Sequence, residues 1–342
     1  MKAVLLEANG GPEKLRPTEV PDPRPAPGEV LVRVRSCALN HIDLWLRKGI
    51  PGQSVTFPHI LGCDIAGEIA GLPAPVEGLA EGQRVMLSPG TSCGRCKQCL
   101  SGEDNACRRY RILGVHMPGG YAECVRVPAA NVIPIPERIS FDEAAAFPLV
   151  FLTAWHMLVR RAGLRRGEDV LVWAAGSGVG MAAIQVAKHL GARVIATAGS
   201  ESKLAKAREL GADHVVDHHK ADVVETVRRV TGKKGADIVF EHVGQASWER
   251  SIHALAHRGR LVTCGATTGF EASTDLRYLF AKQLTLLGSY MGTKADLLEV
   301  AALFFEGRFK AVVDSTVPLA EAARAHERLE SGTPFGKVVL RI

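Results

Sequence analysis

Four cysteines lie between residues 93 and 107, in Cys93-Gly-Arg-Cys-Lys-Gln-Cys-Leu-Ser-Gly-Glu-Asp-Asn-Ala-Cys107. A Cys-x-x-Cys turn presents two thiolates to one ion, and Zn²⁺ takes four such soft ligands in a tetrahedron. Cys93, Cys96, Cys99 and Cys107 are therefore expected to hold one structural zinc, since four sulfur ligands leave no open position for chemistry. Arg95, Lys97, Arg108 and Arg109 stand close enough in sequence to offset the excess negative charge. An iron–sulfur cluster also uses four cysteines and stays open as an alternative. Cys37, Cys63, Cys124 and Cys264 are scattered.

A second motif is rich in glycine. The apolar run from Asp169 to Trp173 leads into Ala175-Gly-Ser-Gly-Val-Gly180 and then a helical pattern. A strand, a glycine turn and a helix in that order expose helix N–H groups that can hold a pyrophosphate. Ala175, Gly176, Ser177, Gly178, Val179 and Gly180 are thus predicted to bind a dinucleotide. An acid at the end of the second strand would accept from the ribose 2′-OH of NAD. Here Ala198 stands in that place, followed by Gly199, Ser200 and Lys203. Ser200 and Lys203 suit a 2′-phosphate, which favours NADPH over NADH. Glu201 argues the other way, and Lys203 is equally compatible with a solvated helix face. Glu241-His-Val-Gly244 and Cys264-Gly265 close later strands, where open sheets bind ligands. Val243, Gly244 and Gly265 are assigned to the nicotinamide pocket, and Thr153 joins the cofactor set. His214, His218 and His219 are read as solvated residues at a strand end, with a contact to the ribose or adenine edge left open.

The elements that carry these motifs fall into two textures. Residues 1–140 are rich in Gly and Pro with short β-type runs such as Val30 to Arg35 and Ile65 to Ala70, predicting an irregular β-barrel. From about Ala144 strands alternate with helices, which predicts βαβ units and a parallel sheet. Helix Ala246 to Ala256 and strand Arg260 to Cys264 are late members of that series. The expected division is 1–148 with 291–342 for the barrel domain, its zinc lobe at 93–107, and 149–290 for the cofactor domain. The expected fold class is α/β, an irregular β-barrel plus a doubly wound parallel sheet. The chain has 342 residues, 46% of them hydrophobic and 23% charged, which excludes disorder and coiled coil. A formal net charge of +6 without a basic run gives no reason to expect a nucleic-acid partner. Aromatic content of 6% is too low for a single-strand stacking surface. The longest apolar stretch, Ala144 to Trp155, is too short to span a bilayer, and the start of the chain lacks a signal-peptide core. A cytoplasmic enzyme acting on a small molecule is expected.

Taken over the whole length, these pieces resemble the medium-chain dehydrogenase/reductase superfamily, which implies a GroES-like β-barrel catalytic domain and a Rossmann doubly wound cofactor domain. In its zinc alcohol dehydrogenases a Cys, a His and a further Cys hold a catalytic zinc. The resemblance lays those motifs on Asn40-His-Ile-Asp43, Gly62-Cys-Asp64 and Leu149, so three ligands are replaced and Ile42 removes a relay hydroxyl. Asn-x-x-Asp and the Ala-rich glycine loop are similar to the quinone oxidoreductase branch, whose members are metal-free NADPH-dependent reductases of quinones and enones. That branch usually lacks a four-cysteine lobe, so this chain combines features of both. The resemblance also implies a homodimer or homotetramer through strand Leu284 to Ser289.

Without a catalytic metal, hydride can pass directly to an electron-poor carbon while the protein stabilises the developing oxyanion. Asn40 is the candidate donor to that oxygen and His41 the candidate proton source, with Asp43 orienting its neighbours. The expected function is an NAD(P)H-dependent oxidoreductase of quinones or activated C=C and C=O bonds, with a zinc alcohol dehydrogenase of unusual ligands as the alternative. A second zinc on Cys63, Asp64, His41 and His59 belongs to that alternative.

Overall fold

The structure, a computed structural model, describes residues 1–50 and 55–342. The chain forms two compact units, one of residues 1–149 with 293–342 and the other of residues 150–292. The expected division at 148/149 and 290/291 thus differs by one residue at the first crossing and two at the second.

In the first unit, Glu29–Ala38 alternates buried Val30, Val32 and Val34 with the less buried Leu31, Arg33 and Arg35, as a half-buried strand should. It is the hub of a seven-stranded sheet. On one side it pairs antiparallel with Lys337–Arg341, which in turn pairs with Val313–Pro318. On the other it pairs with Asp64–Gly71, followed by Arg84–Leu87 and Val132–Pro134, while Cys124–Pro128 pairs with its first half. Two registers matter for the site. Val339 lies opposite Ala38, and Ala38 lies opposite Asp64. Three chain segments therefore end side by side, and helix His41–Lys48 begins immediately beyond them.

The second unit is a six-stranded, wholly parallel sheet. Its spatial order is His214–Asp217, Arg193–Ala198, Asp169–Val172, Ala236–Glu241, Leu255–Thr263, Thr285–Gly288, which in chain order reads 3-2-1-4-5-6. This is the doubly wound arrangement, and its order reverses beside the first strand, where ligands bind at the carboxyl ends. The apolar strands and Val223, Val227, Ile252 and Leu261 share one dry core. One predicted helix is shorter than its pattern suggests. Trp248–Ala254 stops before Leu255, because Leu255 pairs with Ala236 and begins the next strand early. That strand shifts register before Arg260, with Arg258 at φ 60°. Among the described residues no helix is long and apolar enough to cross a membrane; the Ala144 to Trp155 stretch is two short helices, Phe141–Ala146 and Pro148–Trp155.

Candidate functional site

The four lobe cysteines converge, with every Sγ within 4.8 Å of the others. Cys93 and Cys99 are 3.9 Å apart and Cys96 and Cys99 3.5 Å. A Zn–S bond of about 2.3 Å in a tetrahedron requires sulfurs about 3.8 Å apart, so the donor set fits a single ion. A multi-iron cluster would separate the thiolates further. Backbone N–H groups of Arg95 and Cys96 donate to Cys93 and hold its thiol down at about 6, while the Arg109 N–H donates to Cys107. Such N–H···S bonds relieve the negative charge of the donor set. The lobe is also anchored from outside, since the Lys294 N–H donates to Asp104 Oδ1 at the start of helix Lys294–Phe305.

At the strand ends of the same unit lies a buried polar cluster that the sequence reading grasped only in part. Asp64 is fully buried and every oxygen of its carboxylate is engaged. Oδ1 accepts from the Leu149 N–H at 2.9 Å, and Oδ2 from Asn40 Nδ2 at 2.8 Å and from the Lys337 ammonium at 2.9 Å. Lys337 Nζ also donates to Asn40 Oδ1 at 2.5 Å. Asn40 Nδ2 reaches Cys63 Sγ at 3.4 Å, a weak contact. Asn40 stands at the N-cap of helix His41–Lys48, in a capping box with Asp43, and its side-chain amide also reaches Asp64 and Lys337. Asp43 secures the turn, accepting from the Asn40 N–H at 2.7 Å and the Gly62 N–H at 3.2 Å. Burial raises Asp43 to about 7 in spite of those two donors, and it pushes the Cys63 thiol well above its ordinary range.

Asn40 and Asp43 are thus brought together, with Asp64 between Asn40 and Lys337. His41 opens the helix one residue away, half-buried, its ring 6.4 Å from that of Trp45. His59 lies elsewhere and shares its Nε2 with the Gly114 carbonyl at 3.0 Å. Among the described residues the lobe cysteines are the one group of three or more His, Cys, Asp or Glu placed to share a metal. Lys337 was the residue missed. Its only sequence signal was a lysine opening an apolar strand, and its partners are nearly 300 residues away in the chain.

In the second unit the glycine turn is built as the motif requires. Ala174 takes a positive φ of 46°, Ser177 caps helix Gly178–His189 by accepting from the Gly180 N–H, and a side chain at Gly180 would collide with the Ala174 carbonyl. Ala175 is buried, its N–H donating to the Thr197 carbonyl at 2.8 Å, and Lys203 lies against Gly176, so the glycine turn and the residues after the second strand meet. Ala198 is buried at the end of its strand; Gly199 and Ser200 follow, and Ser200 begins helix Glu201–Glu209. Thr153 is buried in helix Pro148–Trp155. Val243, Gly244 and Gly265 form one wall: Thr268 closes back on the Val243 carbonyl, and a Cβ at Gly265 would meet the His242 carbonyl at 3.1 Å.

Glu241 and His242, which the sequence offered only as part of the strand-end motif and without a role of their own, build that wall. The wholly buried Glu241 carboxylate accepts from the N–H groups of Val243 and Gly244 and from the hydroxyls of Ser247 and Ser251. His242 Nε2 lies 3.0 Å from the Trp173 carbonyl and 3.4 Å from Ser177 Oγ, and burial lowers its basicity. The pairing of a strand-end Glu with Ser247 and Ser251, one helical turn apart, could have signalled the first.

Two outcomes follow from this geometry. Lys337→Met and Asp64→Asn each lower the unfolding free energy in urea by about 3 kcal/mol, since each strands a buried partner. The double variant Lys337→Met/Asp64→Asn loses less than the sum, whereas additive losses would show that the two groups do not interact. Elemental analysis of metal-replete protein finds about one zinc per chain, lost in Cys96→Ser/Cys99→Ser; zinc retained by that variant would place it outside the lobe.

Comparison with known proteins matches both units. Residues 26–137 match the alcohol dehydrogenase GroES-like domain, and residues 178–306 match the zinc-binding dehydrogenase family. The chain is 33% identical to an NAD-dependent alcohol dehydrogenase of Sulfolobus acidocaldarius, with 100% of each chain covered. It is 29% identical to the human quinone oxidoreductase over 99% of this chain and 97% of that one. A crystal structure of an NAD-dependent alcohol dehydrogenase, 50% identical, superimposes with a TM-score of 0.97 over all of both chains. Two domain matches in the expected order, full-length relatives and a shared fold make this chain a medium-chain oxidoreductase of the zinc-binding dehydrogenase family.

Proposed function

We propose that this enzyme is an NADPH-dependent reductase of quinones or activated C=C and C=O bonds, working by direct hydride transfer without a catalytic metal and carrying one structural zinc in the Cys93–Cys107 lobe. The observation that carries the reading is the buried Lys337–Asp64–Asn40 cluster. By resemblance, Asn40, Cys63 and Leu149 occupy the catalytic-zinc ligand positions. Here Asp64 has no oxygen left unengaged, the Cys63 thiol resists ionisation, and a fixed ammonium repels a second cation. That donor set is hostile to a divalent metal.

The same cluster suits an oxyanion. Bound NADPH would supply a hydride to the electron-poor carbon, and the electron pair displaced from the substrate double bond would settle on its oxygen. Asn40 meets that oxygen with its second Nδ2 hydrogen, because a neutral thiol 3.4 Å away is a weak acceptor that a charged oxygen displaces. Lys337 acts through Asn40: its ammonium on Oδ1 polarises the amide and strengthens the Nδ2 donor. His41 delivers the proton that completes reduction. Asp43 holds the Asn40 backbone in place.

The zinc alcohol dehydrogenase reading is favoured by two findings, the 50% identical structure and the 33% identical relative, both described as NAD-dependent alcohol dehydrogenases. We assign the protein to the cytoplasm, without a nucleic-acid or membrane partner, and as a homodimer or homotetramer. Supporting the last, the outer edge of strand Thr285–Gly288 pairs with no strand among the described residues, and the neighbouring Phe270, Leu276, Phe280 and Tyr290 are exposed.

Initial rates with NADPH and NADH against quinones, enones and aldehydes, and with alcohols in the reverse direction, test the activity. Quinone or enone reduction is expected to survive chelators that leave the lobe loaded, and Asn40→Ala to lower kcat about 10²-fold with the KM for NADPH unchanged. Alcohol oxidation that demands a second zinc equivalent would overturn the reading. In sedimentation, Phe280→Glu shifts the protein toward a monomer; a wild type that is monomeric at micromolar concentration would remove the assembly proposal.

A further inference from the structure

The cofactor half of the reading above has a further consequence at the ends of the second and third strands of the parallel sheet. Strand Arg193–Ala198 ends without an acid, and basic side chains gather at that end instead. His218 follows strand His214–Asp217 and donates its N–H to the Ala198 carbonyl, which pins the turn against Gly199. A side chain at Gly199 would come within 2.7 Å of His219 Nε2 and 3.2 Å of His218 Nε2. Both imidazoles therefore lie directly on the glycine that follows the ribose-reading position. Their rings meet edge to face at 4.5 Å. His218 Nδ1 is buried without a hydrogen-bond partner.

We propose that His218 and His219 complete a phosphomonoester site at the adenosine 2′ position, with Lys203, Ser200 and Arg250, and that they make the choice between NADPH and NADH depend on pH. The inference rests on the NADPH reading. A ribose diol offers two donors and wants an acceptor, but Ala198 supplies none. A phosphate dianion wants cations and donors, and these are what the turn presents.

The surroundings of the pair set the direction of the effect. His218 is faced by Asp217 and His219 from its own segment, by Lys203 from helix Glu201–Glu209, by Arg250 from helix Trp248–Ala254, and by the Trp173 ring at 6.3 Å. Arg250 is held over the same Trp173 ring, 5.0 Å from its centroid. Burial, then His219 and Arg250, lower the basicity of His218, so it is mostly neutral at pH 7 in the free protein. His219 has the Asp217 carboxylate on its own N–H at 3.0 Å and Lys220 beside it, where Lys220 pairs with Asp217 at 3.4 Å. Of the nearby acids, Glu201 is turned to Arg208 at 2.9 Å and Asp217 is occupied by Lys220 and His219. Neither is left to offset the charges of Lys203 and Arg250. A dianion placed among these groups favours imidazolium, so binding the phosphate takes up protons and weakens as pH rises.

The test uses the whole enzyme and two probes that differ only in the phosphate, 2′,5′-ADP and 5′-AMP, titrated between pH 6.5 and 8.5. The preference for 2′,5′-ADP is expected to fall about tenfold over that range while 5′-AMP binding stays constant. The 2′-phosphate is largely dianionic throughout, and its residual titration is read from the variants. His218→Asn/His219→Asn should flatten the profile and lose most of the preference, with 5′-AMP affinity retained as proof of folding. A profile unchanged in that variant, with 2′,5′-ADP still preferred, overturns the role of the histidines and leaves the NADPH reading standing. A wild type that prefers 5′-AMP at every pH overturns both.

Discussion

The Asp64 carboxylate is the point on which the first unit turns. A fully buried acid costs several kcal/mol in lost hydration unless it is paired and hydrogen-bonded throughout. It recruits an ammonium from the last strand, an amide from Asn40 two residues beyond the hub strand, and a backbone N–H from Leu149. Those three donors come from segments far apart in the chain. Satisfying one carboxylate therefore ties the C-terminal return, the start of helix His41–Lys48 and the end of the first chain segment into one assembly. The same constraint makes the cluster an electrostatic device, because groups that cannot relax hold their dipoles fixed toward any charge that develops beside them.

The lobe and the cofactor sheet solve different problems by similar means. Four thiolates gather around a single point, with backbone N–H groups softening their charge, and Asp104 joins the lobe to the helix that follows the second chain crossing. In the parallel sheet a single buried carboxylate, Glu241, gathers two N–H groups and two hydroxyls and so shapes the turn that carries Val243 and Gly244. In both units the acids that matter are buried, and their donors come mainly from the backbone or from neutral side chains. Lys337 is the exception, and it stands where the chemistry is proposed to occur.

Chemistry that lies in short spacings was legible in the sequence. The cysteine intervals announced a tetrahedral site, and the strand, glycine turn and helix from Asp169 to His189 announced a dinucleotide fold, because both are local devices whose geometry is set within a few residues. The alternation of strands and helices revealed the parallel sheet for the same reason. Helix Trp248–Ala254 was overestimated because an apolar continuation suits either a helix or a buried strand; pairing of Leu255 with Ala236 chose the strand.

What only the tertiary structure decided was partnership across the chain. Asn40 was singled out from its motif, but nothing near it predicts that its amide also meets Asp64 and Lys337. The register of Lys337–Arg341 against Glu29–Ala38, and of that strand against Asp64–Gly71, brings Lys337, Asn40 and Asp64 together. A pattern of alternating residues reveals which face of a strand is buried, yet carries no information about which distant strand lies beside it. His218 and His219 likewise read as a polar turn until parallel pairing set them against Gly199. The sequence by itself determined the kinds of site this protein contains; the pairing of strands remote in the chain decided which side chains meet there.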